Sequence, residues 1–269
     1  MELDSIQLAR SFRAKAVELS YAASAAHLAS SLSCTDIVAV LYHSVLRLDA
    51  ANSKWDGRDR FILSKGHAAT ALYAALAYKG FITDEELASY GKLGSLLEEH
   101  PSPKLPGVEA ATGSLGHGLP CGCGIALAAR IKHHQYRTFV LMSDGECNEG
   151  SVWEAALFAA ANQLGNLVAF VDFNKWQATG RSQEVLGLDP LADKFRSFGW
   201  AVHEIDGHDH RQILNAVDQR SLKQHKPTMV ICHTIKGKGV SFMEDDNNWH
   251  YRIPTLDEVK RAKSELGFL

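Results

Sequence analysis

The stretch TFVLMSDGECNEGSVWEAALFAAANQLGNLVAFVDFNK, from Thr138 to Lys175, decides how the chain is read. It holds two continuous apolar runs, TFVLMS and LVAFVDF, separated by a segment with the length and alanine content of a helix. Runs that are apolar throughout suit strands buried on both faces, and a helical crossover joins strands that run parallel. Each run breaks off into polar groups: Asp144 and Gly145 after the first, Asn174 after the second. In an open α/β sheet that carboxyl edge is where ligands bind.

The same alternation extends outward. Downstream, helix PLADKFRSFG, strand WAVHEI, helix HRQILNAVDQRSL and strand TMVICHT follow in turn, and Thr255 with Glu258 caps a last helix. Upstream, SIQLARSFRAKAVELSYAASA and TDIVAVLYHSVL have helical spacing, and DRFILS reads as a buried strand. GHAATALYAALAYKG is a helix closed by Gly80, Thr83 and Glu86 form a capping box before DEELASYG, and LPCGCGIALAARIKHH is a helix of small residues. Between them, Leu93 to Gly118 is rich in Gly, Pro and Ser without periodicity, and long structureless segments inside compact domains are often functional. The expected fold is therefore α/β: a doubly wound, mainly parallel sheet with helices on both faces, forming a single domain over residues 1–269.

Composition narrows the function classes. The 269 residues are 46% hydrophobic and 22% charged, with a net charge of -3. That balance gives no electrostatic case for nucleic acid or an acidic membrane. No apolar stretch reads as the ~18 residues of a membrane span, and MELDSIQ is no signal peptide. The five cysteines form no framework, C-G-C at Cys121 and Cys123 being too tight for a zinc knuckle, so they read as reduced, buried thiols of a cytoplasmic protein. GCGIALA lacks the strand and full glycine pattern of a dinucleotide fingerprint, and GKG lacks the rest of a phosphate-binding loop.

Asp144 and Asn174, brought to one edge by neighbouring strands, would offer a carboxylate, an amide oxygen and nearby carbonyls. An all-oxygen set suits Mg²⁺ or Ca²⁺, with Mg²⁺ completing its shell from phosphate and water. Gly145 would let backbone approach a phosphate, and the helix beginning near Ser151 would offer it free N–H groups. A single Asp-Gly after a strand is more simply a turn cap, and the pair needs further support from the rest of the chain.

The rest of the chain adds a resemblance. SDGECNEG followed by VDFN resembles the thiamine diphosphate signature, Gly-Asp-Gly with an Asn about thirty residues on, with Ser143 in place of the first glycine. SKGHAATALYA, HPSPKLPGVEAATGSLGHGL and ALAAR are similar, in order, to segments of the transketolase family. The similarity runs from about residue 10 to about residue 255, and departs at AAHLASSLS, where transketolases have a Ser-Gly-His-Pro-Gly type of sequence around the histidine.

What the resemblance implies is a site. Asp144, Asn174 and the carbonyl of Trp176 would hold Mg²⁺, with Ca²⁺ or Mn²⁺ able to substitute. Gly145 would lie against the diphosphate, Glu146 beside it, and the backbone of Gly113, Ser114 and Leu115 would meet the aminopyrimidine or its linker. His67 and His250 would contact the diphosphate and the reacting centre, His27 and His100 the sugar, and Glu149 would belong to a carboxylate network between paired sites. Lys236 in IKGKG is a candidate to neutralise phosphate charge, and His117 either approaches the cofactor or orders the glycine loop. Imidazoles suit such proton traffic near neutral pH. The other histidines, His133, His134, His203, His208, His210 and His225, read as surface or turn residues, and His43 as packed.

The family also needs a pyrimidine-binding domain with its catalytic glutamate, and this sequence ends at Leu269 without one. The expectation is the N-terminal subunit of a split, thiamine diphosphate-dependent transketolase. It would move a two-carbon ketol unit from a ketose donor, in the first instance a phosphate ester, to an aldose. Its partner would be a C-terminal subunit of roughly 300 residues carrying the pyrimidine-binding and C-terminal domains, in an α2β2 assembly. The competing readings are a relative of deoxyxylulose-phosphate synthase, an inactive cofactor-binding scaffold, and an E1-type subunit of a 2-oxoacid dehydrogenase.

Overall fold

A computed structural model describes residues 4–218 and 225–268. Among these, β1 (Arg60–Leu63), β2 (Thr138–Ser143), β3 (Leu167–Phe173), β4 (Ala201–Asp206) and β5 (Thr228–His233) form one sheet in the order β1-β2-β3-β5-β4, every pairing parallel. Helices α1 (Ser5–Ala23), α2 (Leu28–Val40), α3 (Ala69–Tyr78), α4 (Asp84–Leu87), α5 (Gly118–Ile131), α6 (Gly150–Ala161), α7 (Ser182–Leu186), α8 (Leu191–Ser197), α9 (His210–Val217) and α10 (Leu256–Leu266) surround it.

The pleat divides the core. From β3, Val168 and Phe170 join β1 residues Phe61 and Leu63 in a cluster with α1, α2, α3 and α9. Leu167, Ala169 and Val171 point the other way, with Val140 and Met142, into a cluster with α5, α6 and α8. Successive side chains of a strand face opposite sides, so a strand apolar at every position must be covered on both. Removing one such ring, as in Phe170→Ala, would cost ~3–5 kcal/mol. A third cluster seats α10 and the buried Trp249 on α1 and α2, which anchors the segment carrying His250.

The register fixes the edge used below. Ser143 pairs with Asp172 and Asp172 with Cys232, so the β2, β3 and β5 exits leave the sheet side by side.

Four details differ from the sequence reading. Helix α2 begins at Leu28, well before the expected TDIVAVLYHSVL, because Leu28 and Leu32 are buried in the core and outweigh the poor propensity of the serines. It continues as a π-helical turn, Leu41–Val45. That joint run, Leu28–Val45, is 18 residues long with mean hydropathy 1.3, so a stretch of membrane-span length does exist; 83% of it is buried inside the protein. The polar loop after β3 holds the short helix α7, and Cys121 is exposed while the other cysteines are buried. The part of the expected helix HRQILNAVDQRSL at 219–222 lies outside the described residues; its described part, α9, ends at Val217.

Candidate active site

Asp144 is buried at the exit of β2. Its Oδ1 accepts from Gly145 N at 2.8 Å, and its Oδ2 accepts from Lys175 N and Ser182 Oγ, both at 2.8 Å. A carboxylate has about four lone-pair sites, so roughly one stays open. Burial, abetted by the charge of Asp172 and opposed by the Ser182 bond, pushes its pKa up to about 6. Asn174, also buried, takes the Trp176 N–H on its Oδ1 at 3.0 Å. The loop beyond β3 is pinned by Trp176 Nε1 and the Arg181 guanidinium, which both donate to Asp245, with Arg181 lying 3.7 Å over the indole. Among the described residues no group of three or more His, Cys, Asp and Glu is arranged to hold a metal. A cation here would instead use one carboxylate with amide and carbonyl oxygens, a set that suits Mg²⁺, and its charge would relieve the buried carboxylate. The residues fit.

Beside them lies a pair that sequence reading did not single out. Lys65 and Asp172 form an ion pair with both side chains fully buried. Asp172 also takes hydrogen bonds from Ser33 Oγ at 2.6 Å, Asn174 Nδ2 at 3.3 Å and Thr234 Oγ1. Burial alone would lower the Lys65 pKa, but the Asp172 charge outweighs it and the ammonium is held above its usual value. The available signal was an Asp inside the apolar run LVAFVDF and a Lys directly after the buried run FILS, charged groups that are rarely buried without pairing.

The glycine-rich segment is built by close approach. A Cβ on Gly66 would lie 2.7 Å from Gly113 N, so the turn after β1 presses on the Gly113 backbone. Gly113 itself has φ 131, and a Cβ there would lie 2.5 Å from His100 Cδ2. Glu146 is buried and accepts from Ser64 Oγ, from Gly116 N at 2.8 Å and from Ser143 N at 3.3 Å. Its carboxylate thus ties the glycine loop to the ends of β1 and β2. Ser114 is exposed, Leu115 half-buried, and His117 is exposed with its Nδ1 3.2 Å from Leu115 O, geometry that orders the loop. Helix α6 starts at Gly150, after a 3-10 turn at Gly145–Asn148, with the exposed Glu149 as its N-cap and Ser151 Oγ donating to Gly116 O at 2.8 Å.

Four of the predicted histidines converge. His27 has ring centroids of His250, His67 and His100 at 5.1, 5.4 and 6.5 Å, and His67 lies 6.0 Å from His250. The backbone enforces this: His27 has φ 66 at the N-cap of α2, and its N–H donates to His250 O at 2.8 Å. A non-glycine residue held in that region is strained and marks over-determined local structure. Lys236, buried, places Nζ 2.8 Å from His250 Nδ1 and 2.7 Å from Asn247 Oδ1. Burial and then the Lys65 charge lower the Lys236 pKa to about 8, while burial and then Lys236 lower that of His250 to about 3. Burial also lowers His67 well below its usual value, and lowers His27. In all three rings the surroundings favour the neutral form.

Of the histidines read as surface or turn groups, His208 does lie in the turn after β4 and His210 opens α9, but both are half-buried against α2 and not free at the surface. His208 Nδ1 lies 2.6 Å and His210 Nε2 3.1 Å from the buried Asp36 carboxylate, which also pairs with Arg13 at 2.5 Å. His43 is packed as expected, with Nδ1 3.1 Å from Tyr78 Oη.

This edge, with buried oxygen-bearing side chains at two strand exits and a ring of imidazoles beside them, belongs to a known class. The family described as "Transketolase, thiamine diphosphate binding domain" matches residues 5–269, and the chain belongs to that family. It is 40% identical over 268 residues to a subunit of the apulose-4-phosphate transketolase of Phocaeicola vulgatus, covering 99% of this chain and 95% of the relative. It is 43% identical over 241 residues to the 6-deoxy-6-sulfo-D-fructose transketolase subunit SqwG of a Clostridium species, covering 89% and 88%. The fold superposes on the transketolase of Campylobacter jejuni with a TM-score of 0.93 at 29% identity, and the chain spans 43% of that protein's length. The chain is thus an enzyme subunit of transketolase type, a transferase component.

Proposed function

We propose that this chain forms the diphosphate-binding half of a thiamine diphosphate- and Mg²⁺-dependent transketolase in the cytoplasm, completed by a C-terminal partner subunit in an α2β2 assembly. The observation that carries the reading is the ring of His27, His67, His100 and His250 beside the Asp144 and Asn174 strand exits. The likeness to proteins that are themselves named as transketolase subunits, over nearly their full length, supports a separate partner chain.

Asp144, Asn174 and the Trp176 carbonyl are the residues that would hold the metal, with Gly145 and the Gly113–Leu115 backbone against the cofactor. When bound, thiamine diphosphate supplies a thiazolium ring that takes up the electron pair of the carbon–carbon bond cleaved in a ketose. The chain's own residues manage protons and orientation. The Lys236 ammonium donates to His250 Nδ1, which leaves His250 with its proton on Nε2, a donor for a sugar oxygen. His67, neutral because it is buried, has a free nitrogen to accept a hydroxyl proton. His100, locked against Gly113, and His27, locked to the His250 carbonyl, orient the sugar chain.

The substrate class is a ketose with an anionic far end, in line with relatives named for apulose 4-phosphate and 6-deoxy-6-sulfo-D-fructose. The test is reconstitution. The chain alone transfers no ketol unit, and with a co-expressed pyrimidine-domain subunit it does so in a cofactor- and Mg²⁺-dependent way. Full turnover by the chain alone contradicts the reading.

A further inference from the structure

His208 lies in the turn after β4, and the backbone leaves it little choice of position. A Cβ on Gly207 would lie 2.5 Å from Thr234 Cγ2 and 2.8 Å from Cys232 Cβ, so the turn leaving β4 lies flush on the end of β5. Gly207 N donates to His233 O at 2.9 Å, and His208 N donates to Asp206 Oδ1 at 2.8 Å. The ring then spans two fixed partners: Asp36 Oδ2, 2.6 Å from Nδ1, and Ile235 N, 2.9 Å from Nε2.

Those partners determine where the proton is. An amide N–H can only donate, so Nε2 carries a lone pair; an ionised carboxylate can only accept, so Nδ1 carries the hydrogen. Asp36 stays ionised because Arg13, then His208 and His210, outweigh its burial and hold its pKa well below the usual range. Arg13 also donates to Leu32 O from Nε and Nη2, at 3.3 and 3.2 Å, fixing α1 to α2.

Both ends of this arrangement lead to the site. Helix α2 bears Asp36 and has His27 as its N-cap. Ile235 immediately precedes Lys236, which bonds His250, and Gly237 N donates to Ala29 O at 3.0 Å. We propose that His208 is a positioning residue: held as the Nδ1–H tautomer by Asp36, it fixes the Ile235 amide through Nε2 and so sets Lys236 against His250. This deepens the reading of Lys236 and His250 as site residues, yet its test needs neither cofactor nor partner, so the two fail separately.

The test uses the intact chain and two replacements of opposite logic. His208→Asn keeps a donor at the Nδ1 position and loses the Nε2 acceptor; His208→Gln keeps the acceptor and loses the donor. Lysine labelled at Cε reports Lys236, whose neighbours include His250, Lys65, Asp144, Asp172 and Asp246. The Asn variant should move the Lys236 titration upward by about one unit or more and speed exchange of the Ile235 amide at least tenfold, and the Gln variant should restore both. Long-range ¹⁵N–¹H correlation on the unaltered chain should show His208 Nε2 unprotonated, a measurement that stands even if the Asn variant fails to fold. A proton on Nε2, a Lys236 titration unmoved in a folded Asn variant, or equal behaviour of the Asn and Gln variants overturns the proposal.

Discussion

Lys65 and Asp172 form an ion pair with no solvent-exposed surface on either side chain, and Asp172 also accepts from Asn174, so the pair underlies the strand exit that carries a proposed metal ligand. Lys65 Nζ donates as well to Ser30 O at 2.9 Å, tying the turn after β1 to α2. Breaking such a pair strands a buried charge and costs ~3–5 kcal/mol. Lys65→Ala and Asp172→Ala should each lower the urea midpoint accordingly. The double variant should cost clearly less than the sum of the two, because the second removal no longer strands a charge. Additive losses would mean that the pair is not coupled.

Gly113→Ala tests the close approach to His100. The added Cβ falls 2.5 Å from His100 Cδ2 at a φ of 131, so the ring must move or the loop must shift. We expect cofactor uptake by the assembled enzyme to weaken at least tenfold while the stability of the chain falls by only ~1–3 kcal/mol. Calorimetry and thermal denaturation read the two effects; unchanged uptake would free this loop from its assigned role.

The imidazole ring makes stability depend on pH with a definite sign. Burial, then Lys236, holds the folded pKa of His250 near 3, below the 6.5 of a free histidine. The unfolded chain therefore binds more protons below pH 6.5, and stability present above that pH is lost as pH falls toward 3. His250 contributes a slope of up to ~1.4 kcal/mol per pH unit. Asp144, raised to about 6, acts in the opposite sense over part of this window, so the informative quantity is a difference. His250→Gln should flatten the wild-type decline between pH 6.5 and 4, as measured by urea unfolding; parallel curves would mean that His250 is not held neutral.

His100→Ala in the reconstituted enzyme should lower kcat/KM by ~10²–10⁴, the range for losing a proton-handling or orienting group. Its half-exposed position predicts near-wild-type folding. Steady-state kinetics on a ketose donor provides the check, and undiminished turnover would fit an inactive scaffold instead.

Much of this was legible in the sequence for a physical reason. A strand buried on both faces writes itself as an unbroken apolar run, and β2 and β3 occupy the expected TFVLMS and LVAFVDF. Asp144 and Asn174 were legible because the register of parallel strands carries such exits to one edge. The start of α2 was not legible, because its helicity comes from burial of Leu28 and Leu32, not from the propensity of the serines between them. Nor was the Asp36–His208–His210 node: its members lie far apart in the chain and meet only through packing of α2 against α9. Glu146 shows the same limit, since nothing in the sequence announced that its side chain reaches Ser64 and Gly116.

Metal-assisted cofactor binding at the Asp144 edge is tested most directly by isothermal titration of thiamine diphosphate into the assembled pair, with and without Mg²⁺, comparing wild type with Asp144→Ala. Mg²⁺-dependent uptake is expected for the wild type, and its loss for the variant. Undiminished Mg²⁺-dependent uptake by Asp144→Ala would contradict it.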